Sequence, residues 1–556
     1  MGRHSFSSSR REQLLQEIAK ERFDVVVIGG GITGAGILLD AAVRGMKAVL
    51  FDMQDFAAGT SSRSTKLVHG GLRYLKQLEF GMVAEVGKER AIVYENGPHV
   101  TTPEWMMLPC YKGGTFGMIS TSLGLRVYDF LAGVKVSERR SMLKANETLM
   151  KEPLLKSEGL LGSGYYVEYR TDDARLTIEV LKEAVSRGAA AINYAEVIGF
   201  TCENGKVVAA TVQDKVSGKN YEVAASKLVN ATGPWVDGLR EMDRSKRGKV
   251  LQLTKGVHLV IDGRRMPLRQ AVYFDTPDGR MMFAVPREGK TYVGTTDTVY
   301  KDDPAHPAVS VSDQQYIIDA INGMFPGVAI TANDIESSWA GVRPLIYEEG
   351  KSPSEISRKD EVWESPSGLI TIAGGKLTGY RKMAETVVDR VAARLREEKA
   401  LEFANCSTKR LPISGGSVGG SAGFTDYVAN QTLEGVRRGL PGDLAEAWVL
   451  KYGSNVGRLF ELAEEAVSEH HPSELPLEVV VPLKYAMIEE MAATPVDFFH
   501  RRTGALLFNI AWVREWKVRV SQYMASVLGW TEQQKRQYDE ELDLMLQAAP
   551  GQETLQ

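Results

Sequence analysis

A glycine-rich turn near the N-terminus constrains the fold of this chain more than any other feature. Residues 23–28 form an apolar run with three consecutive valines, which is typical of a central strand in a parallel sheet. Residues 32–44 have helical spacing and end at Gly45, and residues 47–51 form a second predicted strand. The pattern predicts a right-handed strand–helix–strand unit with five glycines in its first turn: Gly29, Gly30, Gly31, Gly34 and Gly36.

The spacing of these glycines predicts a dinucleotide site. In Gly29-x-Gly31-x-x-Gly34, the first glycine allows a tight turn and the second lets a pyrophosphate approach the backbone. The third lets the helix pack on the strand, and the helix N-terminus presents free N–H groups to the pyrophosphate. Asp52 follows about 20 residues later, where an acid accepts hydrogen bonds from a ribose. The motif itself does not distinguish NAD from FAD.

Three later features favour FAD. Residues 229–235 predict a strand that runs into a turn of small residues at Thr232 and Gly233. The run 374–378 joins a buried strand to a long helix, whose N-terminus would stabilise negative charge on a reduced flavin. The third feature is a hydroxyl-rich run, 60–66, which follows the second strand. The candidate FAD-binding residues in the last two runs are Thr60, Ser61, Ser62, Lys66, Gly375, Leu377 and Thr378.

The predicted fold is α/β, with a discontinuous Rossmann-like FAD-binding domain, a mixed-sheet α+β substrate domain and an all-α C-terminal domain. The late strand at 369–373 is expected to pack beside the first strand, which makes the FAD-binding domain discontinuous. A glycine-serine run at 414–423 is interpreted as a flexible linker before the helical tail. The predicted boundaries are 22–80, 170–250 and 335–400 for the first domain, 81–169 and 251–334 for the second, and 405–556 for the third.

Composition narrows the class of protein. The 556 residues include 67 Lys and Arg and 71 Asp and Glu, and this net charge of −4 does not suggest nucleic-acid binding. The three cysteines are far apart and form no CxxC pair, so neither a zinc site nor a disulfide scaffold is indicated, and no metal is expected. Cysteine usage indicates a reducing, cytoplasmic compartment. No apolar run is long enough to cross a membrane.

Ordered motifs along the chain resemble those of the FAD-dependent glycerol-3-phosphate dehydrogenase family. They cover about residues 22–540 and lie at 29–36, 59–75, 172–176, 230–235, 294–297, 341–344, 374–378, 452–455 and 501–503. The resemblance implies oxidation of sn-glycerol 3-phosphate to dihydroxyacetone phosphate, with hydride transfer to flavin N5 and electrons passing to membrane quinone. It also implies a peripheral protein on the inner face of the cell membrane and a possible homodimer.

The resemblance also assigns site residues. It places Arg73, His258 and Arg343 among the catalytic groups, and it adds Leu67 and His69 to the FAD-binding set. The substrate pocket would be lined by Tyr74, Thr295, Thr296, Arg358 and Lys376. A phosphate of two negative charges needs several cations, which Arg343, Arg358 and Lys376 supply.

The identity of the general base stays open at this point. His258 is the first choice, because the reference pKa of histidine lies near working pH. The alternative role is that of Arg343, whose guanidinium would stabilise a developing alkoxide on the substrate.

Other functions and contact surfaces also stay open. The rivals are a glycerol-3-phosphate oxidase that uses oxygen, an amine or amino-acid oxidase in which Arg343 binds a carboxylate, and a non-catalytic FAD-binding protein. Two segments, 106–136 and 498–524, are candidates for membrane contact. For the second segment, packing within the helical tail is the favoured explanation.

Overall fold

The computed structural model describes residues 5–69, 80–135, 138–348, 359–468 and 475–547. Its strands, in chain order, are β1 (Arg22–Ile28), β2 (Ala48–Phe51), β3 (Leu67–Val68), β4 (Thr101–Tyr111), β5 (Ser141–Lys144), β6 (Leu160–Thr171), β7 (Ala190–Ile192), β8 (Ala195–Glu203), β9 (Lys206–Asp214), β10 (Asn220–Asn230), β11 (Lys249–Asp262), β12 (Ala271–Asp275), β13 (Met281–Arg287), β14 (Lys290–Gly294), β15 (Thr298–Val299), β16 (Ile335–Glu348), β17 (Glu361–Glu364) and β18 (Ile370–Ala373).

The α-helices complete the description. They are α1 (Arg11–Ile18), α2 (Ile32–Val43), α3 (Phe80–Asn96), α4 (Met118–Ala132), α5 (Ala145–Lys151), α6 (Asp173–Ser186), α7 (Val236–Met242), α8 (Val311–Met324), α9 (Tyr380–Lys399), α10 (Gly420–Arg437), α11 (Gly442–Tyr452), α12 (Val456–Ser468), α13 (Leu477–Glu489), α14 (Ala505–Phe508), α15 (Ile510–Leu528) and α16 (Glu532–Gln547). A π-helix spans Asp497–Arg502.

The first sheet has the predicted strand–helix–strand unit at its centre. Its path runs β17-β18-β10-β1-β2-β7, and β9 and β8 extend it from β10. Strand β1 pairs in parallel with β2 and with β10, and helices α6 and α9 pack against α2. Strand β18 pairs with β10, not with β1. The late strand is therefore one position further from the first strand than the sequence predicts, because β10 lies between them.

The second sheet is mixed. Its path runs β15-β11-β14-β13-β12-β4-β6-β3, with β16 paired to β11 and β5 paired to β6. Strands β12 and β4 run parallel, whereas β11 and β16 pair antiparallel. The predicted boundaries place 335–348 in the FAD-binding domain, but this segment is β16 of the second sheet, because it pairs with β11 along its length. The other domain boundaries remain predictions.

The C-terminal part is helical and has its own apolar core, with Trp448, Phe460 and Phe498 among its buried side chains. The interpretation of 414–423 as a flexible linker is wrong. A Cβ on Gly416 would lie 2.1 Å from the carbonyl oxygen of Asn96, and Ser454 N–H donates to Gly415 O at 2.9 Å. The glycines are there because the chain passes close to α3 and to the turn after α11. Among the described helices, none is both long and apolar enough to cross a bilayer.

Candidate active site

A large cavity collects residues from both sheets. Its volume is about 1170 Å³, which exceeds the range of about 300–1,000 Å³ that is typical of ligand pockets. Its lining combines the turn after β1, on the first sheet, with His258 on β11 and Arg343 on β16 of the second sheet. We call the first group the dinucleotide end of the cavity and the second group the substrate end. The cavity therefore brings together the predicted dinucleotide turn and the predicted substrate residues, which are far apart in the sequence.

Backbone geometry explains the glycines at the first end. Gly29 has φ +108°, and a Cβ there would lie 2.6 Å from the carbonyl oxygen of Ala231 on the neighbouring chain segment. A Cβ on Gly34 would lie 1.9 Å from the carbonyl oxygen of Gly29. Gly29 therefore lets the turn pass close to the segment after β10, and Gly34 lets α2 approach β1, which brings the N-terminus of α2 to the cavity.

Asp52 closes the glycine turn from the side. Its Oδ2 accepts a hydrogen bond from Gly30 N–H at 2.6 Å, and its Oδ1 accepts one from Gln54 N–H at 2.8 Å. Burial raises the pKa of Asp52 to about 6, and these two backbone donors partly offset that rise. The carboxyl lines the cavity and retains acceptor capacity for a ligand hydroxyl.

The hydroxyl-rich run contributes both wall and support. Ser61 Oγ accepts from Ile32 N–H at 2.9 Å, at the first turn of α2, and Thr60 Oγ1 donates to Val342 O at 2.6 Å. Both residues line the cavity. Their hydroxyls tie this run to the two sheets, so the cavity wall between the sheets is held by side chain–backbone hydrogen bonds.

A buried ion network supports the turn that carries Asp52. Arg502 donates to both Asp55 oxygens, at 2.8 and 3.0 Å, and Arg501 Nε donates to Asp55 Oδ2 at 2.5 Å. Although burial opposes ionisation, Arg502 and Arg501 lower the pKa of Asp55 well below its usual range. Arg501 and Arg502 belong to the helical C-terminal part, so that part braces the dinucleotide end of the cavity.

The second end is cationic. Arg343 Nη2 donates to Thr295 Oγ1 at 2.8 Å, and Nη1 donates to Thr296 O at 3.2 Å. The guanidinium crosses above Gly256, where a Cβ would lie 2.2 Å from Nη2. Lys376 lines the same cavity just before the turn that begins α9. Arg343 Nη1 also lies 3.4 Å from Asp297 Oδ1. Two cations therefore line one cavity, an arrangement that suits an anionic ligand.

His258 is buried near Arg343. Its Nε2 lies 3.0 Å from Thr65 Oγ1, and its ring stacks on Trp339 with centroids 4.7 Å apart. Burial, with Arg343 and Lys66 nearby, lowers the pKa of His258 well below its usual range. The ring is therefore neutral at pH 7, which corrects the premise that its pKa lies near working pH.

Most of the predicted residues meet at the cavity. Those that line it are Gly29, Gly31, Asp52, Thr60, Ser61, Leu67, His69, Thr232, Gly233, His258, Thr295, Thr296, Arg343, Gly375, Lys376, Leu377 and Thr378. Gly34 lies behind the wall, in the packing position that its spacing predicts. Arg73, Tyr74 and Arg358 lie outside the described residues.

Two residues predicted to contact the cofactor do not line the cavity. Lys66 Nζ donates to Asp173 Oδ1 at 2.7 Å and to Ser62 O at 2.9 Å, and it is almost fully buried. Ser62 is buried next to it. Lys66 does not reach the cavity because a buried ammonium group needs a carboxylate partner, which Asp173 provides. Lys66 thus anchors the hydroxyl-rich run to α6.

Sequence reasoning missed the residues that hold His258. Thr65 carries no signal beyond its hydroxyl-rich surroundings, and Trp339 is distant in sequence. The pairing of β11 with β16 places His258 opposite Trp339 in register. Trp339 Nε1 also donates to Ser64 O at 3.0 Å, so one indole fixes both the ring of His258 and the run before Lys66.

Chemically, this cavity suits a dinucleotide at one end and a small anion at the other. The glycine turn, the helix N-terminus and the acceptor on Asp52 match the donor and acceptor needs of a pyrophosphate and a ribose. No group of three or more His, Cys, Asp or Glu side chains within the described ranges is placed to hold a metal ion.

Family comparisons match both parts of the chain. The family described as FAD dependent oxidoreductase matches residues 24–381. The family described as the C-terminal domain of alpha-glycerophosphate oxidase matches residues 406–535. The matched ranges separate near residue 400, where the mixed α/β part gives way to the helical tail.

Similar proteins match along the whole chain. The aerobic glycerol-3-phosphate dehydrogenase of Bacillus subtilis (strain 168) is 62% identical over 549 residues, 99% of each chain. The enzyme of the same description from Staphylococcus aureus (strain USA300) is 57% identical over 547 residues, 98% of each chain.

Solved structures agree. The glycerol-3-phosphate dehydrogenase from Bacillus halodurans complexed with FAD is 48% identical, covers 99% of this chain and 100% of its own, and has a TM-score of 0.86. The L-alpha-glycerophosphate oxidase from Mycoplasma pneumoniae, at 16% identity and a TM-score of 0.55 over 69% of this chain and 96% of its own, shares the fold alone. The chain therefore belongs to the FAD dependent oxidoreductase family and, within it, to the aerobic glycerol-3-phosphate dehydrogenases.

Proposed function

We propose that this protein oxidises sn-glycerol 3-phosphate to dihydroxyacetone phosphate with FAD as its cofactor. The observation that carries the proposal is one cavity with a dinucleotide cradle at one end and Arg343, Lys376 and His258 at the other. Bound FAD supplies the acceptor for the hydride that leaves C2 of the substrate. The likeness to curated dehydrogenases over 99% of the chain supports the same substrate.

The cofactor would be held mainly by backbone. The N–H groups at the start of α2 would bind the pyrophosphate, and Gly29 and Gly31 would leave room for it. Asp52 would accept a hydrogen bond from a ribose hydroxyl. Thr378, Leu377 and Gly375 line the wall before α9, where the helix N-terminus stabilises negative charge.

The substrate phosphate is bound by cations. Arg343 and Lys376 line the cavity, and Arg358, outside the described residues, is assigned to the same group by the family resemblance. Arg343 is already oriented by Thr295 and Thr296, so little side-chain freedom is lost on binding. Arg73 and Tyr74 complete the proposed pocket.

His258 moves the proton of the C2 hydroxyl. Its ring is neutral, so it has a nitrogen lone pair for that proton. The dianionic substrate balances Arg343, the cavity-lining cation that disfavours a charged ring. Binding therefore raises the proton affinity of His258 at the moment when the base is needed, while Arg343 offsets negative charge on the substrate oxygen.

The proposal extends to the electron acceptor and the location. The electrons pass to a membrane quinone, and the protein works as a homodimer on the inner face of the cell membrane. Oxygen is the alternative electron acceptor. The description of the family that matches residues 406–535 names an oxidase, which supports this alternative.

An anaerobic flavin titration tests the function. Adding sn-glycerol 3-phosphate to the holoprotein should bleach the flavin spectrum, and a soluble quinone should restore it quickly while air restores it slowly. Rapid recovery of the flavin spectrum in air, with peroxide release, would identify oxygen instead of quinone as the electron acceptor. A flavin that does not bleach would overturn the substrate assignment.

A His258→Gln variant tests the base. We expect a fall in kcat of about 10²–10⁴-fold with FAD still bound, because general-base catalysis contributes that much. Thr65→Val, which removes the hydroxyl at 3.0 Å from Nε2, should lower kcat less, and Thr65→Ser should restore it. Wild-type turnover in His258→Gln would remove His258 as the base.

A further inference from the structure

Arg63, in the middle of the hydroxyl-rich run, differs from the other cations around it. Those cations form buried ion pairs with carboxylates, namely Lys66 with Asp173 and Arg501 with Asp55. Arg63 forms no ion pair with any carboxylate in the described ranges, and its Nη1 donates to the carbonyl oxygen of Ala305 at 3.0 Å. Because a charge removed from water is normally paired, the guanidinium of Arg63 suits an anionic ligand.

The backbone of Arg63 is fixed against the second sheet. A Cβ on Gly341 of β16 would lie 2.3 Å from the carbonyl oxygen of Arg63, so the two segments pass in direct contact. The guanidinium lines the cavity, and its bond to Ala305 uses one of five N–H donors. The remaining donors form the planar fork that binds phosphate oxygens in pairs.

The other cations that line the cavity have partners or roles already. The lysine and arginine side chains that line it, within the described part of the chain, are Arg63, Arg280, Arg343 and Lys376. Arg280 pairs with Asp278 at 3.3 Å, and the last two are assigned to the substrate phosphate. FAD brings a second anionic group, its pyrophosphate. A pyrophosphate is a dianion, whereas a helix N-terminus contributes only about half an elementary charge.

The neighbours of Arg63 place it at the dinucleotide end. Ser61, two residues earlier, accepts from Ile32 N–H at 2.9 Å in the first turn of α2. On the other side lies the π-helix that braces this end, where burial, with Arg501 and Arg63 nearby, lowers the pKa of His500 well below its usual range. Arg63 therefore lies between the N-terminus of α2 and the helical C-terminal part.

The electrostatic surroundings of Arg63 favour an anion. Burial, with Arg501 nearby, lowers the pKa of Arg63 to about 10, and Tyr300 and Asp303 partly offset that effect. The side chain is still charged at pH 7, but burial and the neighbouring cation make that charge costly. A bound dianion would remove this cost, so the charge of Arg63 and the binding of an anion should stabilise each other.

We infer that Arg63 binds the pyrophosphate of FAD and adds a charged side chain to a cradle built mainly from backbone. The FAD-binding residues predicted from the sequence do not include Arg63. The inference rests on FAD as the cofactor in the proposed function, and it is independent of the substrate.

Release of FAD from the holoprotein tests the inference. Flavin fluorescence that appears on dilution measures the dissociation rate and the Kd. Arg63→Gln should weaken FAD binding about 10–100-fold, because a charge-assisted contact with phosphate is lost. The difference from the wild type should narrow as salt rises. Arg63→Lys keeps the charge without the planar fork, so its FAD affinity should lie between the two.

Two further variants separate charge from packing. Arg63→Met keeps most of the aliphatic stem without the charge, and it should release FAD as readily as Arg63→Gln. The matched control is Arg280→Gln, which removes a cavity-lining arginine that has a carboxylate partner, and it should hold FAD like the wild type. Wild-type FAD affinity in Arg63→Gln or Arg63→Met would overturn the inference. Unchanged FAD affinity with a raised KM for sn-glycerol 3-phosphate would assign Arg63 to the substrate phosphate instead.

The measurement does not depend on turnover. When Arg63→Gln is saturated with FAD, the substrate should bleach its flavin as it does in the wild type, because the substrate end is unchanged. Loss of substrate-driven bleaching in the wild type would refute the proposed function and leave the FAD-release result standing. Normal bleaching in the wild type, with equal FAD release in the wild type and Arg63→Gln, would refute the role of Arg63 alone.

Discussion

The two ends of the cavity are built in different ways. At the dinucleotide end, glycines, backbone N–H groups and Asp52 lie within thirty residues of sequence, and the fit depends on backbone shape. At the substrate end, His258, Arg343 and Lys376 come from distant segments and depend on side-chain charge. Shape is therefore set locally, whereas charge is assembled from distant segments, with His258 and Arg343 on the second sheet and Lys376 after β18 of the first sheet.

The difference predicts that the ends fail separately. A change in the backbone cradle should abolish FAD binding, whatever happens to the cations. A change among the cations should leave FAD bound and slow the reaction. Variants that removed both properties together would show that the two ends form one cooperative unit.

The largest effect is expected for Gly34→Val. Its Cβ would lie 1.9 Å from Gly29 O, so α2 cannot keep its distance from β1, and FAD content on purification should fall almost to zero. The visible flavin absorbance relative to protein absorbance measures this. Gly81→Ala is the control, because Gly81 is exposed on α3 with open space around it, and it should retain full flavin. Normal flavin content in Gly34→Val would contradict the close-approach explanation.

At the other end, Arg343→Gln should lower kcat/KM by about 10²–10³-fold with normal FAD content. A charge-assisted bond to substrate is lost while the dinucleotide end is untouched. Steady-state kinetics with a dye acceptor and the flavin spectrum measure the two properties. Arg265→Gln, which removes an exposed pair with Asp334, is the matched control and should be neutral. A loss of FAD in Arg343→Gln would break the proposed separation.

Gly256→Ala moves the same cation without removing it. The added Cβ would lie 2.2 Å from Arg343 Nη2 and 2.4 Å from Thr295 Oγ1, so the guanidinium must shift. We expect kcat/KM to fall about 10–100-fold, since small misplacements in an active site cost about that much. Gly323→Ala, with nothing within 4 Å of its Cβ, should change neither kinetics nor FAD content. Equal kinetics in the two alanine variants would show that the position of Arg343 is not critical.

The same contrast explains what could be predicted from sequence. The strand–helix–strand unit and Asp52 were predictable because their contacts are local, and β1, α2 and β2 are found within a residue or two of the predicted bounds. The family resemblance also indicates His258 and Arg343. The stacking of His258 on Trp339, its contact with Thr65 and its lowered pKa depend on the register of β11 and β16, which has no local signal.

Lys66 is a residue for which the sequence prediction is wrong. Its place in a hydroxyl-rich run suggests a contact with the cofactor. Instead, Lys66 pairs with Asp173 at the start of α6, and this ion pair is buried behind the cavity wall. The glycine-rich segment 414–423 shows a second limit. Glycine is common both in flexible linkers and where two backbone segments pack closely, so the sequence pattern alone does not separate these two cases.

The smallest predicted effect is a pH dependence of FAD affinity, which is expected at the dinucleotide end only. Burial raises the pKa of Asp52 to about 6, so its carboxyl gains acceptor strength for the ribose as pH rises through that value. FAD affinity of the apoprotein should therefore increase up to about tenfold between pH 5 and pH 7 and then level off. Flavin fluorescence titration measures it, and Asp52→Asn should remove the dependence.

No matching titration is expected at the substrate end over that range. The pKa of His258 is held well below its usual value, so the free holoenzyme keeps a neutral ring at pH 5.5 and at pH 7. The pH profile of kcat/KM should thus lack an inflection near 6.5 from this ring, and His258→Gln should lower the profile without changing its shape there. An inflection near 6.5 that disappears in His258→Gln would mean that the substrate end is wetter than its burial indicates, and that the two ends differ less than their geometry implies.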